Sequence, residues 1–161
     1  MYIAKNNDLI ILAKETREEL EEALKFMVYT SIEETETEYE LYGGQYLTEE
    51  EIAIKERERL DALTLTPADV ERALYKEKKM DFEDLKALIA EQLPQVDIKG
   101  IAIEFRAKDF YRGAEANGMR LFDVVGALLG YTPEDMDYLF EHKELPVKPE
   151  PTIEPEPEEE D

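Results

Sequence analysis

The side chains whose types and spacing could do chemistry in this chain are mostly carboxylates. In the stretch EETETEYELYGGQYL, which begins at Glu33, the residues Glu34, Glu36, Glu38 and Glu40 recur at every second position. Successive side chains of a strand alternate sides, so a strand here would carry all four on one face, with Thr35, Thr37, Tyr39 and Leu41 on the other. Such a row has three uses: to hold a cation, to imitate a nucleic-acid backbone, or to keep a sheet face solvated. A cation site requires convergence. Alternate carboxylates on a straight strand lie about 6.6–6.8 Å apart, whereas calcium ligands must all come within about 2.6 Å of one ion. No D-x-D-x-D-G loop supplies the missing curvature. Metal binding is therefore not expected, and the phosphate-row imitation and the solvated face both stay open. The four glutamates are the candidate interaction face.

The usual entry points to catalysis are missing. There is no P-loop, no dinucleotide glycine fingerprint, no G-x-S-x-G and no His-Glu-x-x-His. The only histidine is His142, on a polar stretch, and the absence of cysteine removes thiolate nucleophiles, thiolate zinc sites and disulfides. Among 41 acidic residues, pairs of carboxylates arise by chance, and none accompanies a glycine-rich or aromatic cleft signature. The chain reads as a non-enzyme with no catalytic residue, cofactor or metal.

Basic residues gather in two places. Lys76, Lys78 and Lys79 follow one predicted helix, and FRAKDFYR sets Arg106, Lys108 and Arg112 among Phe105, Phe110 and Tyr111. Interleaved aromatic and basic side chains can grip single strands. Cations at helix C-termini also answer the macrodipole, and the second explanation is preferred. A net charge of −22 opposes phosphate neutralisation, which supplies most non-specific nucleic-acid affinity, and opposes anionic membranes. The expected partner is a protein, basic or reached through an apolar patch.

These residues must be positioned by a mixed α+β chain. YIAK and LIILAK flank NND, a hairpin loop whose Asn and Asp tolerate left-handed backbone. Thr16 then opens the helix TREELEEALKFM, with Glu19 in the capping-box position and Leu20, Ala23, Leu24 and Met27 as its stripe. VYTSIEETETEYELY is read as one long strand, and Gly43-Gly44 turns it back into QYL. The expectation for residues 1–47 is a ββαββ unit with hairpins. Thr48 and Glu51 cap a polar connecting helix over 48–65, whose thin stripe suits a spacer better than a core element. Residues 66–145 read as a small bundle of short capped helices. Thr66-Pro67, Asp81, Asp97 and Thr132-Pro133 start helices, and Gly130 stops one. The predicted core is Val70, Leu74, Leu85, Leu88, Ile89, Phe105, Phe122, Val125, Leu129, Leu139 and Phe140.

Two patterns invite over-reading. LTPADVERAL and YTPEDMDYLF share Thr-Pro-x-Asp because both are capped helix starts with a first-turn proline, and no repeat period accompanies them. VVGALLGYTPEDMDYLF has the outline of a helix-turn-helix, but its second helix offers Glu134, Asp135, Asp137 and Glu141 to any phosphate, so it is read as a packing corner.

The last sixteen residues, PVKPEPTIEPEPEEED, hold 1 basic and 7 acidic side chains. Alternating Pro and Glu with almost nothing to bury predicts a disordered acidic tail over 146–161. The N-terminus lacks a basic region followed by a long apolar run, so neither a signal peptide nor a membrane span is expected and the protein is placed in the cytoplasm. Taken in order, TEYELYGGQYLTEEE, LTLTPADVERALYKEKKMDFEDLKALI, DIKGIAIEFRAKDFYRG and VVGALLGYTPEDMDYLF resemble a family of short acidic proteins encoded in phages and prophages of Gram-positive bacteria, near tail or other late genes. The likeness spans roughly residues 38–145 and carries no functional residue across. It implies a non-enzymatic interaction protein of the host-cell cytoplasm or the virion, such as a tail accessory component. The alternative is an acidic nucleic-acid mimic that inhibits a host DNA-binding or defence protein, in an anti-CRISPR-like manner.

Overall fold

A computed structural model of the chain describes residues 1–100, 103, 108–116 and 118–149. The fold is α+β and divides into two units, Met1–Arg59 and Leu60–Asp161.

The first unit begins with the expected hairpin. Strands β1 (Tyr2–Asn6) and β2 (Leu9–Lys14) pair antiparallel, and Asn7 at the turn takes φ 54°. Helix α1 (Arg17–Ala23) starts at Thr16, whose hydroxyl accepts from the Glu19 N–H at 3.2 Å. It closes one face of the sheet by burying Leu20 and Leu24 against Ala4, with Tyr2, Ile11, Leu12 and Ile32 around them. The chain then returns as β3 (Ser31–Glu34), antiparallel to β1, giving the strand order β2-β1-β3.

The single strand expected over residues 28–42 is two strands. β3 stops at Glu34, and β4 (Glu40–Tyr42) starts six residues later. β3 pairs with β1, and the Met1 carbonyl and ammonium exchange bonds of 2.9 and 3.1 Å with Thr35. The Thr37 N–H turns instead to the Thr35 hydroxyl at 3.0 Å, a local side-chain turn that competes with strand. Gly43 and Gly44, with φ of 56° and 81°, make the tight turn into β5 (Gln45–Leu47), and β5 lies against β2. Thr48 and Glu51 form the expected capping box at the start of α2 (Glu49–Asp61). This helix buries no residue of its own. It ends before residue 65, and Thr64–Leu65 is a short strand, β6.

The second unit is the predicted helical bundle with short ribbons added. Thr66, Asp81 and Thr132 cap α3 (Pro67–Lys78), α4 (Phe82–Gln92) and a later helix through complete capping boxes with Asp69, Asp84 and Asp135. Residues 98–100 are helical, as expected from Asp97. The helix expected to run from there to Arg112 does not. Phe110–Tyr111 is strand β7, paired antiparallel with β6. Phe110 points into the core while Tyr111 is exposed, the period-2 pattern of a strand. β8 (Glu115–Ala116) and β9 (Met119–Arg120) form a small ribbon through Gly118, so α5 (Leu121–Leu128) begins two residues later than Met119. Gly130, at φ 80°, ends that helical turn, and α6 (Pro133–His142) follows.

The core holds most of the expected residues. Val70, Leu74, Leu85, Ile89, Phe122, Leu139 and Phe140 are buried, while Val125 and Leu129 pack against them only partly buried. Leu88 is half-buried outside this cluster, and Phe105 lies outside the described residues. Leu65, Phe82, Phe110, Tyr131, Met136 and Leu145 complete the core. Edge-to-face contacts link Phe110 to Phe122 (5.5 Å) and Phe122 to Phe140 (4.7 Å). Of the tail expected over 146–161, residues 146–149 are described, and Lys148 is tied to the second unit. Leu145 is buried, and Lys148 bonds the Gly130 carbonyl at 2.7 Å and Asp135 at 2.8 Å. The acidic remainder, 150–161, lies outside the described residues.

α5 and α6 meet where Gly126 faces Met136. A Cβ on Gly126 would stand 2.8 Å from Met136 Cγ and 3.0 Å from its sulfur, and Met136 is buried. Gly126→Ala is therefore expected to cost about 1–3 kcal/mol of overpacking, against a helix-propensity gain of about 1 kcal/mol. Thermal unfolding should show a net fall in Tm of roughly 5 °C. In the Gly126→Ala/Met136→Ala pair the two losses should be sub-additive.

Candidate functional site

The four glutamates do not share one strand. Glu34 ends β3, Glu40 begins β4, and Glu36 and Glu38 stand in the segment between them. The Glu34 carboxylate accepts a hydrogen bond from the hydroxyl of Tyr2, its cross-strand neighbour, and that bond raises the Tyr2 phenol above its ordinary value. Glu36, Glu38 and Glu40 are exposed and make no ion pair among the described residues. Lys5 is held by Glu33 at 2.8 Å, next to the row and not within it. No group of three metal-ligating side chains converges among the described residues.

The first basic cluster stands at the C-terminus of α3, where the macrodipole explanation put it, and the second does not. Lys76 pairs with Glu144 at 2.9 Å, Lys78 stands over the Tyr131 ring at 4.9 Å, and Lys79 donates to the Lys76 carbonyl at 3.1 Å. Arg106 lies outside the described residues, and Lys108 is exposed. Arg112 is neither a surface cation nor a helix-terminal one, because its side chain is fully buried. Its Nε donates to Asp137 at 2.7 Å, and one terminal nitrogen donates to Asp123 at 2.6 Å and to the Pro133 carbonyl at 3.0 Å. Asp123 also faces Arg120 at 3.4 Å, and Arg120 bonds Asp61 through both terminal nitrogens. The backbone completes the arrangement. Arg112 N–H donates to Leu63, and Gly113 N–H to Asp61. A Cβ on Gly113 would stand 3.0 Å from Asp61 Cβ, so a side chain here would press on Asp61. The network lies inside the unit and holds the buried guanidinium through Nε and one terminal nitrogen, while the other terminal nitrogen, Nη1, is buried with no hydrogen-bond partner among the described residues.

His142 stacks on Tyr138, with ring centres 4.2 Å apart on an exposed part of α6. Asp69 is the other buried charge. The Thr66 hydroxyl bond, opposed by burial and helped by the Thr66 N–H and Lys143, holds its carboxyl below the ordinary range.

One feature was not anticipated. The helix stripe was expected to include Met27, but α1 ends at Ala23 and the chain runs on as Phe26-Met27-Val28-Tyr29 with all four side chains exposed. Phe26 is 100% exposed and Val28 80%. Thr30 then anchors the run to the β1–β2 turn, its N–H and hydroxyl bonding the Lys5 carbonyl at 2.7 and 3.0 Å and its oxygen receiving Asn7 N–H at 2.9 Å. Leu9, at that same turn, is 63% exposed. An apolar run held out by defined backbone bonds is uncommon on a protein surface. Its sequence signal is the uninterrupted FMVY itself, which no helix stripe of period 3.6 would use on both sides.

No family model, curated protein or solved structure matches the chain.

Two measurements test these electrostatics. Arg112→Met leaves Asp123 and Asp137 facing each other without their cation, and equilibrium unfolding should lose about 3 kcal/mol. Adding Asp123→Asn and Asp137→Asn should recover part of that loss, and no recovery would mean that the ion network is not what the arginine supplies. In the first unit, Arg59 and then the Tyr42 hydroxyl hold the Glu56 carboxyl down at about 2. A depressed carboxylate contributes stability that is complete above its unfolded value and is lost as pH falls through the folded one. That contribution should therefore disappear between about pH 4.5 and 2. Carbon NMR should find Glu56 titrating last among the glutamates of α2, and Arg59→Gln should return it toward the ordinary range.

Proposed function

We propose that the protein is a non-enzymatic interaction protein whose first unit docks another protein. The observation that carries this reading is the exposed run Phe26–Tyr29, pinned in place by Thr30 and joined by Leu9. Burying such a run removes apolar surface at about 25 cal/mol per Å², and aromatic side chains supply anchors of the kind that dominate binding energy. The surroundings set the partner's charge. Residues 1–59 hold 7 basic and 16 acidic side chains, a net of −9, so a basic partner is attracted and an acidic one repelled. The resemblance to phage and prophage proteins adds a setting, a virion or tail accessory component made in the host-cell cytoplasm.

The nucleic-acid mimic remains the second reading because the charge itself supports it, although the glutamates that suggested it are divided between two strands and a turn. The two readings part on salt and on DNA. A mimic's complex weakens steeply with salt and is displaced by DNA, whereas an apolar anchor tolerates salt.

The deciding experiment is affinity capture from host cells during phage or prophage expression, at low and high salt, with Phe26→Ser/Val28→Ser alongside the wild type. The expected result is one protein recovered in stoichiometric amount at both salt levels and lost with the double variant, whose Tm stays close to wild type because neither side chain is buried. Capture that is unchanged in the variant overturns the apolar docking surface. Capture that is lost at high salt and competed by DNA favours the mimic.

A further inference from the structure

We propose that the first unit binds its partner by strand addition: an extended, lysine- or arginine-bearing segment pairs along the open edge of β3. This rests on the interaction reading above and specifies its geometry and the chemistry of the partner.

Among the described residues β3 pairs only with β1, and it is an edge of the β2-β1-β3 sheet. The opposite edge is flanked, because β5 lies against β2. In an antiparallel pair, residues that exchange both bonds alternate with residues that exchange none, and the latter turn their N–H and C=O outward. Met1 and Thr35 exchange both bonds. Counting along the register, Glu33 opposite Ile3 faces inward, while Glu34 opposite Tyr2 and Ile32 opposite Ala4 direct their backbone groups to the open side. Two donors and two acceptors are therefore presented at strand spacing, and the exposed Phe26–Tyr29 run leads directly into them.

Open edges of natural sheets are usually blunted by charge. Here the charge is of one sign, with Glu33 and Glu34 on the strand and Glu36 and Glu38 just beyond it, all exposed. A second copy brought edge to edge would set these glutamates against their equals in a unit of net charge −9, so self-pairing is disfavoured. A cationic strand meets the opposite condition. Its backbone completes the ladder, its basic side chains face the glutamates, and its apolar side chains reach Phe26 and Val28. This is the strand-addition mode of peptide recognition, in which main-chain bonds give affinity and alternate side chains give specificity.

The test uses the full chain and two capped peptides of equal charge, Lys-Val-Lys-Val-Lys-Val-Lys and Lys-Pro-Lys-Pro-Lys-Pro-Lys. The second carries the same lysines but cannot take its place in a ladder. Titration calorimetry should find the valine peptide bound roughly tenfold more tightly or better. Hydrogen exchange should show the Ile32 and Glu34 amides fast in the free protein and slowed by the valine peptide. Glu34→Pro removes an outward N–H without touching the β1 ladder, and it should abolish this preference, whereas Glu34→Gln, which removes the charge and keeps the N–H, should retain most of it. Equal affinity for the two peptides, or unchanged exchange at Ile32 and Glu34, overturns strand addition. Binding of the valine peptide that resists Glu34→Pro but is lost in Phe26→Ser/Val28→Ser also overturns it, while leaving the apolar docking surface standing.

Discussion

A guanidinium buried in a helical core constrains everything around it. Arg112 cannot be neutralised by losing its proton, so the fold must bring anions to it in the right plane. Asp123 comes from the first turn of α5 and Asp137 from the middle of α6, and the Pro133 carbonyl closes the space between them. The arginine itself is placed by β7, which exists because Thr64–Leu65 offers it a partner. Thus a two-stranded ribbon far too short to be stable alone is fixed at one end by an ion network and at the other by Phe110, which inserts beside Phe122. The α5–α6 corner, whose sequence has the outline of a DNA-reading motif, serves as the wall of this site.

The first unit is governed by local turn chemistry. β3 keeps its ladder with β1 as far as the Met1–Thr35 pair. The acidic segment that follows has strand-like alternation but no partner, so Thr35 and Thr37 fold it into a local turn. Tyr39 is then brought back to Met1, its N–H 3.2 Å from the methionine sulfur, and the chain is free to form the β4–β5 hairpin. β3 keeps its outer side open as a direct consequence.

What the sequence made legible follows from the range of the forces involved. Capping boxes at Thr48, Thr66, Asp81 and Thr132, and the Gly43-Gly44 turn, are decided within four residues, and all of them are where the residue types put them. The helical core was legible through its 3.6-residue stripes. The misreadings all needed a residue distant in sequence. The segment that Asp97 opens reads as helix until β6 pairs with Phe110–Tyr111. Arg112 among aromatics looks like a surface grip until Asp137, twenty-five residues on, encloses it. The glutamate row looks continuous until the ladder with β1 ends at the Met1–Thr35 pair. Of the candidate site, the acidity was legible, and the apolar run was visible as FMVY but was absorbed into a helix stripe that α1 ends too early to use.

Acidity alone therefore explains less of this protein than its composition suggests. The second unit uses several of its carboxylates internally, on Arg112, Arg120, Lys143 and Lys148. The first unit leaves Glu36, Glu38 and Glu40 unused beside an apolar run and an open strand edge. Neither an apolar run nor a like-charged edge is stabilising by itself, and each is a liability that a folded domain ordinarily removes. Their coexistence in one small unit is self-consistent if the charge prevents copies of the chain from pairing while the backbone and the aromatic side chains await a partner of opposite sign. A charge row with no apolar neighbour would need only solvent, and the presence of Phe26 at full exposure is what separates these two cases.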